Sequence, residues 1–156
     1  MQKLVSLDDI ELNVSAADWQ DAVEKSGTIL VNNGYVTREY VDAMIQTVKT
    51  LGPYIVVAPG LAMPHARSTN GVIKSGISIM TLSRPVTFGN ESNDPVRLLI
   101  GLAGSNDDLH LKIIQAIATI FEDDSMLGRI TACGSKAAVA GIFNNVEVEE
   151  IGRAHV

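Results

Sequence analysis

Residues 54–65 read Tyr-Ile-Val-Val-Ala-Pro-Gly-Leu-Ala-Met-Pro-His, and they are the most informative segment of the chain for its fold. Tyr54 to Ala58 form a short apolar run that predicts a buried strand. The two prolines and the glycine of residues 59–65 then predict a loop with a defined, nonhelical path. The segment therefore places His65 just beyond a strand end, where α/β proteins often carry functional side chains.

The chain before this segment predicts one strand and two helices. Residues 10–14 alternate apolar and polar side chains, which is typical of a strand. Ser15 and Asp18 predict a capping box at the start of a helix that ends at Gly34. A second helix is predicted from about residue 37 to residue 52, because apolar side chains recur there at helical spacing.

The chain after it predicts two more strands followed by helices. Residues 77–82 and 96–102 are strongly apolar strand candidates, and Ser105-Asn-Asp-Asp108 is suited to cap a third helix. Two short helices are expected beyond it, around residues 125–131 and 135–144. Because strands alternate with amphipathic helices, we predict a single α/β domain over residues 1–156, with a central mixed, mostly parallel sheet flanked by helices on both faces.

Composition excludes several classes of function. The formal net charge is −6, aromatic residues are 4% of the 156 residues, and no basic block is present, so a nucleic-acid binder is not expected. The amino-terminal residues are acidic where a signal peptide would be apolar, and no segment is long enough to span a bilayer. Cys133 is the single cysteine, which fits a reducing compartment. We expect a cytoplasmic protein.

His65 and Arg67 are candidates for phosphoryl chemistry. The backbone before His65 is restricted by Pro64, and the small residues around it leave room for a ligand. An unprotonated imidazole can accept a phosphoryl group, and the guanidinium of Arg67 can bind phosphoryl oxygens. From these residues alone, a surface or structural histidine remains the commoner interpretation.

His110 follows two aspartates at the predicted start of the third helix. Free amides at a helix start can hold an anion, to which His110 could hydrogen-bond, although an exposed first-turn residue is the simpler interpretation. The spacing of His65 and His110 specifies no metal site, and no nucleotide-binding motif is present. Cys133 is expected to be a small, partly buried residue.

Gly60-Leu-Ala-Met-Pro-His65 resembles the signature of the mannitol/fructose-class enzyme IIA domains of the bacterial sugar phosphotransferase system. The segment around His110 resembles the second histidine of that family, and residues 51–60 and 88–95 are most similar to its ascorbate-type branch. The Arg-Glu and Ser-Thr pairs of mannitol-type members are absent here. Arg67 is therefore the candidate for the cation that steadies the phosphoryl group.

The resemblance implies a phosphocarrier that needs no cofactor and no metal. A phosphoryl group would pass from phospho-HPr to His65, with His110 in support, and then to a cysteine of enzyme IIB for uptake of a carbohydrate such as ascorbate. The membrane would be involved only indirectly, through enzyme IIC. The same fold would also suit a regulatory module that binds another protein according to its phosphorylation state. The oligomeric state stays open between a monomer and a homodimer.

Overall fold

A mixed sheet forms the centre of the computed structural model, which describes residues 3–146. The strands are β1 (Ile10–Val14), β2 (Val56–Ala58), β3 (Leu61–Ala62), β4 (Gly76–Val86) and β5 (Val96–Ala103). The helices are α1 (Trp19–Asn32), α2 (Arg38–Leu51), α3 (Asp108–Ile120), α4 (Met126–Ala132) and α5 (Lys136–Asn144). Single 3₁₀ turns cover Leu7–Asp9 and Ser68–Asn70. None of the helices within residues 3–146 has the length and apolar character to cross a membrane.

The strand order is β1-β4-β5-β3-β2. The pairs β1–β4 and β3–β5 are parallel, whereas β4–β5 and β2–β3 are antiparallel. The prediction of a mixed α/β sheet flanked by helices is confirmed, with parallel pairing in two of its four strand pairs. Residues 87–95 join β4 to β5 without a crossover helix, and so short a connection requires antiparallel neighbours.

The helices cover both faces of the sheet. Helices α1 and α2 pack on one face, against side chains that include Met80 and Leu99. Helices α3, α4 and α5 pack on the other, against Ile79 and Ile100. Neighbouring residues of one strand point to opposite faces, so strands buried on both sides must be apolar throughout. This burial explains the apolar run of residues 98–103 in β5 and the mostly apolar first half of β4, where the buried Ser78 hydroxyl donates to the Ser26 carbonyl oxygen.

Two predictions about local structure need correction. The N-cap of α1 is Asp18 rather than Ser15: the Asp18 side chain accepts the Asp21 amide, and the Asp21 side chain accepts the Ala17 amide. Asp18 caps the helix directly, and Asp21, three positions on, satisfies the amide just before the cap, so this pair of carboxylates fixes the helix start. The predicted buried strand is an edge strand, β2, whose Val57 side chain is 51% exposed.

The predicted loop of residues 59–65 is nonhelical, as expected, but it also contains β3. Leu61 and Ala62 pair with β5 on one side and with β2 on the other. The reversal between β2 and β3 depends on Gly60, whose φ of +78° is unfavourable for residues with a Cβ. A strand of two residues is too short to produce an alternating pattern in the sequence. His65 thus lies three residues after a strand that is paired on both sides.

Candidate active site

The carboxyl end of β5 gathers both predicted site histidines. The Leu102 amide donates to the carbonyl oxygen of Pro64 over 2.9 Å, which fixes the chain just before His65. Two residues later, Gly104 lies against the ring of His110. The two histidines, 45 positions apart in sequence, thus flank residues 102–104. The two histidines meet at the carboxyl ends of these strands because β3 runs parallel to β5 and α3 begins shortly after β5 ends.

The half-buried ring of His65 has one nitrogen engaged by the backbone. Its Nδ1 lies 2.8 Å from the carbonyl oxygen of Met63. A carbonyl oxygen can only accept, so in the neutral ring this contact places the proton on Nδ1 and leaves a lone pair on Nε2. The ring of Tyr54 meets the His65 ring edge to face, with centroids 5.6 Å apart. These two contacts orient the ring and leave Nε2 as its basic nitrogen.

The strand pair that carries His65 is braced by the loop of residues 87–95. The Asp94 carboxylate accepts the backbone amides of Phe88, Gly89 and Asn90, which fixes the shape of this loop. The Asn90 and Asn93 side-chain amides each donate to the carbonyl oxygen of Val56, over 3.3 Å. The loop thus satisfies a backbone acceptor of the edge strand β2, which would otherwise have only water as a partner.

His110 lies in the first turn of α3, and its ring rests directly on Gly104. A Cβ added to Gly104 would lie 2.2 Å from the Nδ1 and Cε1 atoms of that ring, so only glycine fits here. Nδ1 of His110 is buried and has no hydrogen-bond partner among the described residues. A buried N–H group without an acceptor is rarer than an acceptor without a donor, so this environment favours the tautomer with its proton on Nε2, which presents a donor.

A polar network fixes the start of α3. The Asp107 carboxylate accepts the His110 backbone amide over 2.9 Å, as an N-cap, and the Ser75 hydroxyl over 2.8 Å. Ser75 is 2% exposed and also accepts the Ser105 amide. These bonds, first of all the one from the His110 amide, hold the pKa of Asp107 below its usual range. The helix start is therefore anchored to Ser75, the residue before β4.

Arg67 is exposed, and the structure shows no hydrogen bond or cation–π contact between its guanidinium and the ring of His65 or His110. It caps the 3₁₀ turn at residues 68–70 through its backbone position, and within residues 3–146 its guanidinium forms no recorded ion pair or hydrogen bond. Cys133 is half-buried, as expected, and its thiol lies 3.3 Å from the Arg129 carbonyl oxygen. The described part of the chain holds no group of three or more His, Cys, Asp or Glu side chains suited to a metal.

Several neighbours of the histidines were not predicted from the sequence. Met63 contributes a backbone oxygen, which leaves no compositional signal. Tyr40 was predicted only as part of the apolar face of its helix, although its hydroxyl contacts Ala66 and Leu102. Ser75 lies in a stretch without a motif and 32 residues before the carboxylate that it contacts. Of the groups that hold the two histidines, only the acidic cap at residues 105–108 has a recognisable pattern in the sequence.

Comparison with known proteins gives consistent results. Residues 3–146 match the model of the family described as "Phosphoenolpyruvate-dependent sugar phosphotransferase system, EIIA 2". The ascorbate-specific PTS system EIIA component of Shigella boydii serotype 4 (strain Sb227) is 39% identical over 136 residues, covering 86% of this chain and 88% of that protein.

Solved structures of mannitol-specific proteins are also similar. The mannitol-specific cryptic phosphotransferase enzyme IIA of Escherichia coli has a TM-score of 0.79 and 32% identity, over 92% of this chain and 97% of that one. A complex of enzyme IIA of the mannitol system with phosphorylated enzyme IIB, from Escherichia coli, matches with a TM-score of 0.78 and 28% identity, over 89% of this chain and 96% of the chain in that structure.

Proposed function

The chain belongs to the EIIA 2 family of the phosphoenolpyruvate-dependent sugar phosphotransferase system, and we propose that His65 accepts a phosphoryl group from phospho-HPr and donates it to a cysteine of enzyme IIB. The observation that carries this proposal is the contact between Nδ1 of His65 and the Met63 carbonyl oxygen. It leaves Nε2 with its lone pair, at a strand end beside a second histidine. Members of this family are phosphotransferases, so the chain is a phosphotransferase component.

The transfer needs a positioned nucleophile and stabilisation of the negative charge on the phosphoryl oxygens. The Nε2 lone pair of His65 attacks the phosphorus of the donor phosphohistidine, and the new P–N bond forms as the donor P–N bond breaks. The donor ring recovers its electron pair. In the second step, a thiolate of enzyme IIB attacks the same phosphorus, and the bond to Nε2 breaks. Because little covalent work falls to the scaffold, positioning and charge stabilisation supply the catalysis.

His110 supports this transfer in our proposal without carrying the phosphoryl group. Its buried Nδ1 has no acceptor within residues 3–146, which favours the tautomer with a proton on Nε2. An Nε2–H group can donate to a phosphoryl oxygen as negative charge spreads over the three oxygens in the transition state. Gly104 sets how closely the ring approaches the end of β5.

Arg67 is proposed as the cation that meets the phosphoryl group on its exposed side. Its guanidinium has no recorded partner among residues 3–146, and it follows His65 by two positions on an extended backbone, with φ of −68° and ψ of 143° at Arg67. Charge-assisted hydrogen bonds to phosphate are among the stronger ones in proteins. Since Arg67 is exposed, solvent screening reduces its contribution.

We also assign the carrier to the cytoplasmic side of an ascorbate uptake system, acting as one domain over residues 1–156. The name of the Shigella boydii relative supports the substrate. Because the carbohydrate is handled by enzymes IIB and IIC, specificity for this chain is a choice of protein partner. Ascorbate-type enzyme IIB should therefore remove the phosphoryl group from this carrier faster than mannitol-type enzyme IIB.

The test is phosphoryl transfer in a purified mixture of enzyme I, HPr, phosphoenolpyruvate and this protein. Intact-mass and peptide mass spectrometry at neutral pH should locate one phosphoryl group on His65. His65→Ala should stay folded and take up none. The matched control is His155→Ala, at the third histidine of the sequence, which should label like the wild type. Labelling of His65→Ala at the wild-type level would overturn the assignment.

Addition of enzyme IIB separates the transport role from the regulatory alternative. In the transport role, the phosphoryl group leaves His65 and appears on a cysteine of enzyme IIB, and a Cys→Ser variant of enzyme IIB does not discharge the carrier. A regulatory module would keep its phosphoryl group when enzyme IIB is added. Retention in the presence of both ascorbate-type and mannitol-type enzyme IIB would contradict the proposed acceptor.

A further inference from the structure

Tyr40 places a buried hydroxyl between two parts of the candidate site. The residue lies in the first turn of α2 and is 1% exposed, with its ring in the core against α1. Its hydroxyl lies 2.6 Å from the carbonyl oxygen of Leu102 and 3.0 Å from the amide nitrogen of Ala66. One of these groups ends β5, and the other directly follows His65.

The hydroxyl uses both of its hydrogen-bonding capacities in this position. It donates to the Leu102 carbonyl oxygen, which is nearer than the Ala66 carbonyl oxygen at 3.2 Å, and it accepts the amide hydrogen of Ala66. Burial raises the pKa of the Tyr40 phenol, so the group keeps its proton and remains a donor. A phenylalanine would fill the same volume and offer neither bond.

The backbone around His65 is consequently fastened to a single residue of β5. The Leu102 amide binds the carbonyl oxygen of Pro64, and the Leu102 carbonyl oxygen binds Tyr40, which in turn binds the Ala66 amide. Residues 64–66 are thereby held at both ends. The bond between His65 Nδ1 and Met63 then orients the ring relative to a backbone that cannot shift.

We propose that Tyr40 is the positioning residue for His65: its hydroxyl holds the Ala66 amide against the carboxyl end of β5 and so fixes the direction in which Nε2 points. This inference rests on the proposed function of His65 as phosphoryl acceptor. Without the hydroxyl, the Ala66 amide and the Leu102 carbonyl group lose their partner, and residues 65–67 shift toward water to satisfy them. Displacement of a nucleophile by about 1 Å lowers transfer strongly.

The test compares Tyr40→Phe with the matched control Tyr35→Phe. Tyr35 also donates a hydroxyl bond, to Asp9, but it makes no recorded hydrogen bond to residues 60–67. Phosphorylation by phospho-HPr should slow about 10- to 100-fold in Tyr40→Phe, through kcat with little change in KM, and stay at the wild-type rate in Tyr35→Phe. Loss of stability alone would affect both variants and leave the kcat of the folded fraction unchanged.

A second readout does not need phosphoryl transfer. ¹⁵N NMR of the His65 ring should show one dominant neutral tautomer, protonated at Nδ1, in the wild type and in Tyr35→Phe, and a mixture of tautomers in Tyr40→Phe. If the wild type shows this tautomer but takes up no phosphoryl group, the proposed function fails while the inference about Tyr40 stands. An unchanged ring spectrum and kcat in folded Tyr40→Phe would overturn the inference.

Hydrogen exchange in the wild type covers the case in which Tyr40→Phe does not fold. The Ala66 amide donates to a buried hydroxyl, so it should exchange slowly although its neighbour Arg67 is exposed. Among residues 3–146 the Arg67 amide has no hydrogen-bond acceptor, and it serves as the matched fast control. Equal exchange of the two amides would show that Tyr40 does not hold the segment, and it would overturn the proposal.

Discussion

The two histidine-bearing regions of the site are held in different ways. Residues 60–66 are fixed from inside the fold, by strand pairing, by the Leu102 amide and by the buried Tyr40 hydroxyl. Residues 104–110 are fixed mainly by the exposed Asp107 cap, whose carboxylate also accepts the buried Ser75 hydroxyl, and by the absence of a side chain at Gly104. The first arrangement depends on the whole sheet, whereas the second depends on a few side-chain hydrogen bonds at one helix start.

This difference matches the different demands on the phosphoryl acceptor and on the residue that supports it. A nucleophile must be placed accurately in every step, so its segment is built from buried bonds whose loss leaves unsatisfied groups. A supporting donor needs less restraint, and the hydrogen bonds of a single helix cap suffice for it. We therefore expect that the region of His110 can be altered one group at a time without loss of the fold.

His110→Ala should produce the largest change in the second region. Loss of the donor to a phosphoryl oxygen should slow labelling of His65 about 100-fold, because one preorganised donor contributes on that scale to a transition state with spread charge. The phosphoryl group should still be found on His65. Rapid-quench labelling by phospho-HPr measures the effect, and a wild-type rate would remove His110 from the site.

Gly104→Ala should reproduce much of this loss without touching a histidine. The added Cβ would lie 2.2 Å from atoms of the His110 ring, so the ring must move. We expect labelling to slow about 10-fold or more, and the double variant with His110→Ala to be no slower than His110→Ala alone. Gly128→Ala is the matched control, because its Cβ would meet nothing within 4 Å. Additive losses in the double variant would contradict this coupling.

Arg67→Ala tests the exposed side of the first region and should have a smaller effect. Charge-assisted bonds to phosphate contribute about 1.5–3 kcal/mol, and screening at an exposed position favours the lower limit, which corresponds to about 10-fold in rate. Arg84→Ala, an exposed arginine in β4 near the opposite end of the sheet, is the matched control. Equal kinetics for the two variants would exclude Arg67 from the transfer.

The sequence predicted most of the fold because long apolar runs and caps are local signals. Helices α1 and α2, strands β4 and β5, and the acidic start of α3 follow from periodicity and capping residues. The strand β3 could not be predicted, because two residues give no period. Tyr40 could not be placed in the site either, since its hydroxyl partner lies 62 positions away, across the sheet. Contacts between distant segments depend on the topology, and one sequence does not specify them.

Lowering the pH should affect the region of His110 and not that of His65, and of the changes considered it should alter the transfer rate least. The hydrogen bonds to Asp107 lower its pKa, so the carboxylate stabilises the start of α3 at every pH above the ordinary carboxyl range, about 3.9. That contribution is lost only as the pH falls through the lowered pKa of the folded state. The backbone amide of His110 donates to this carboxylate, so its NMR chemical shift should follow the titration of Asp107. The midpoint of that change should lie below the ordinary pKa of an aspartate.

Asp107→Asn separates the charge of this cap from its geometry. Asparagine is an equally good N-cap, so the variant should label His65 within about 2-fold of the wild-type rate at neutral pH. Its His110 amide should no longer show the acid transition, whereas Asp108→Asn, the neighbouring carboxylate, should keep it. The Leu102 amide, which donates to Pro64, should show no such transition in any of the three proteins, because its acceptor is a backbone carbonyl group that does not titrate. A shared acid transition at Leu102 and His110 would mean that the two regions are not independent.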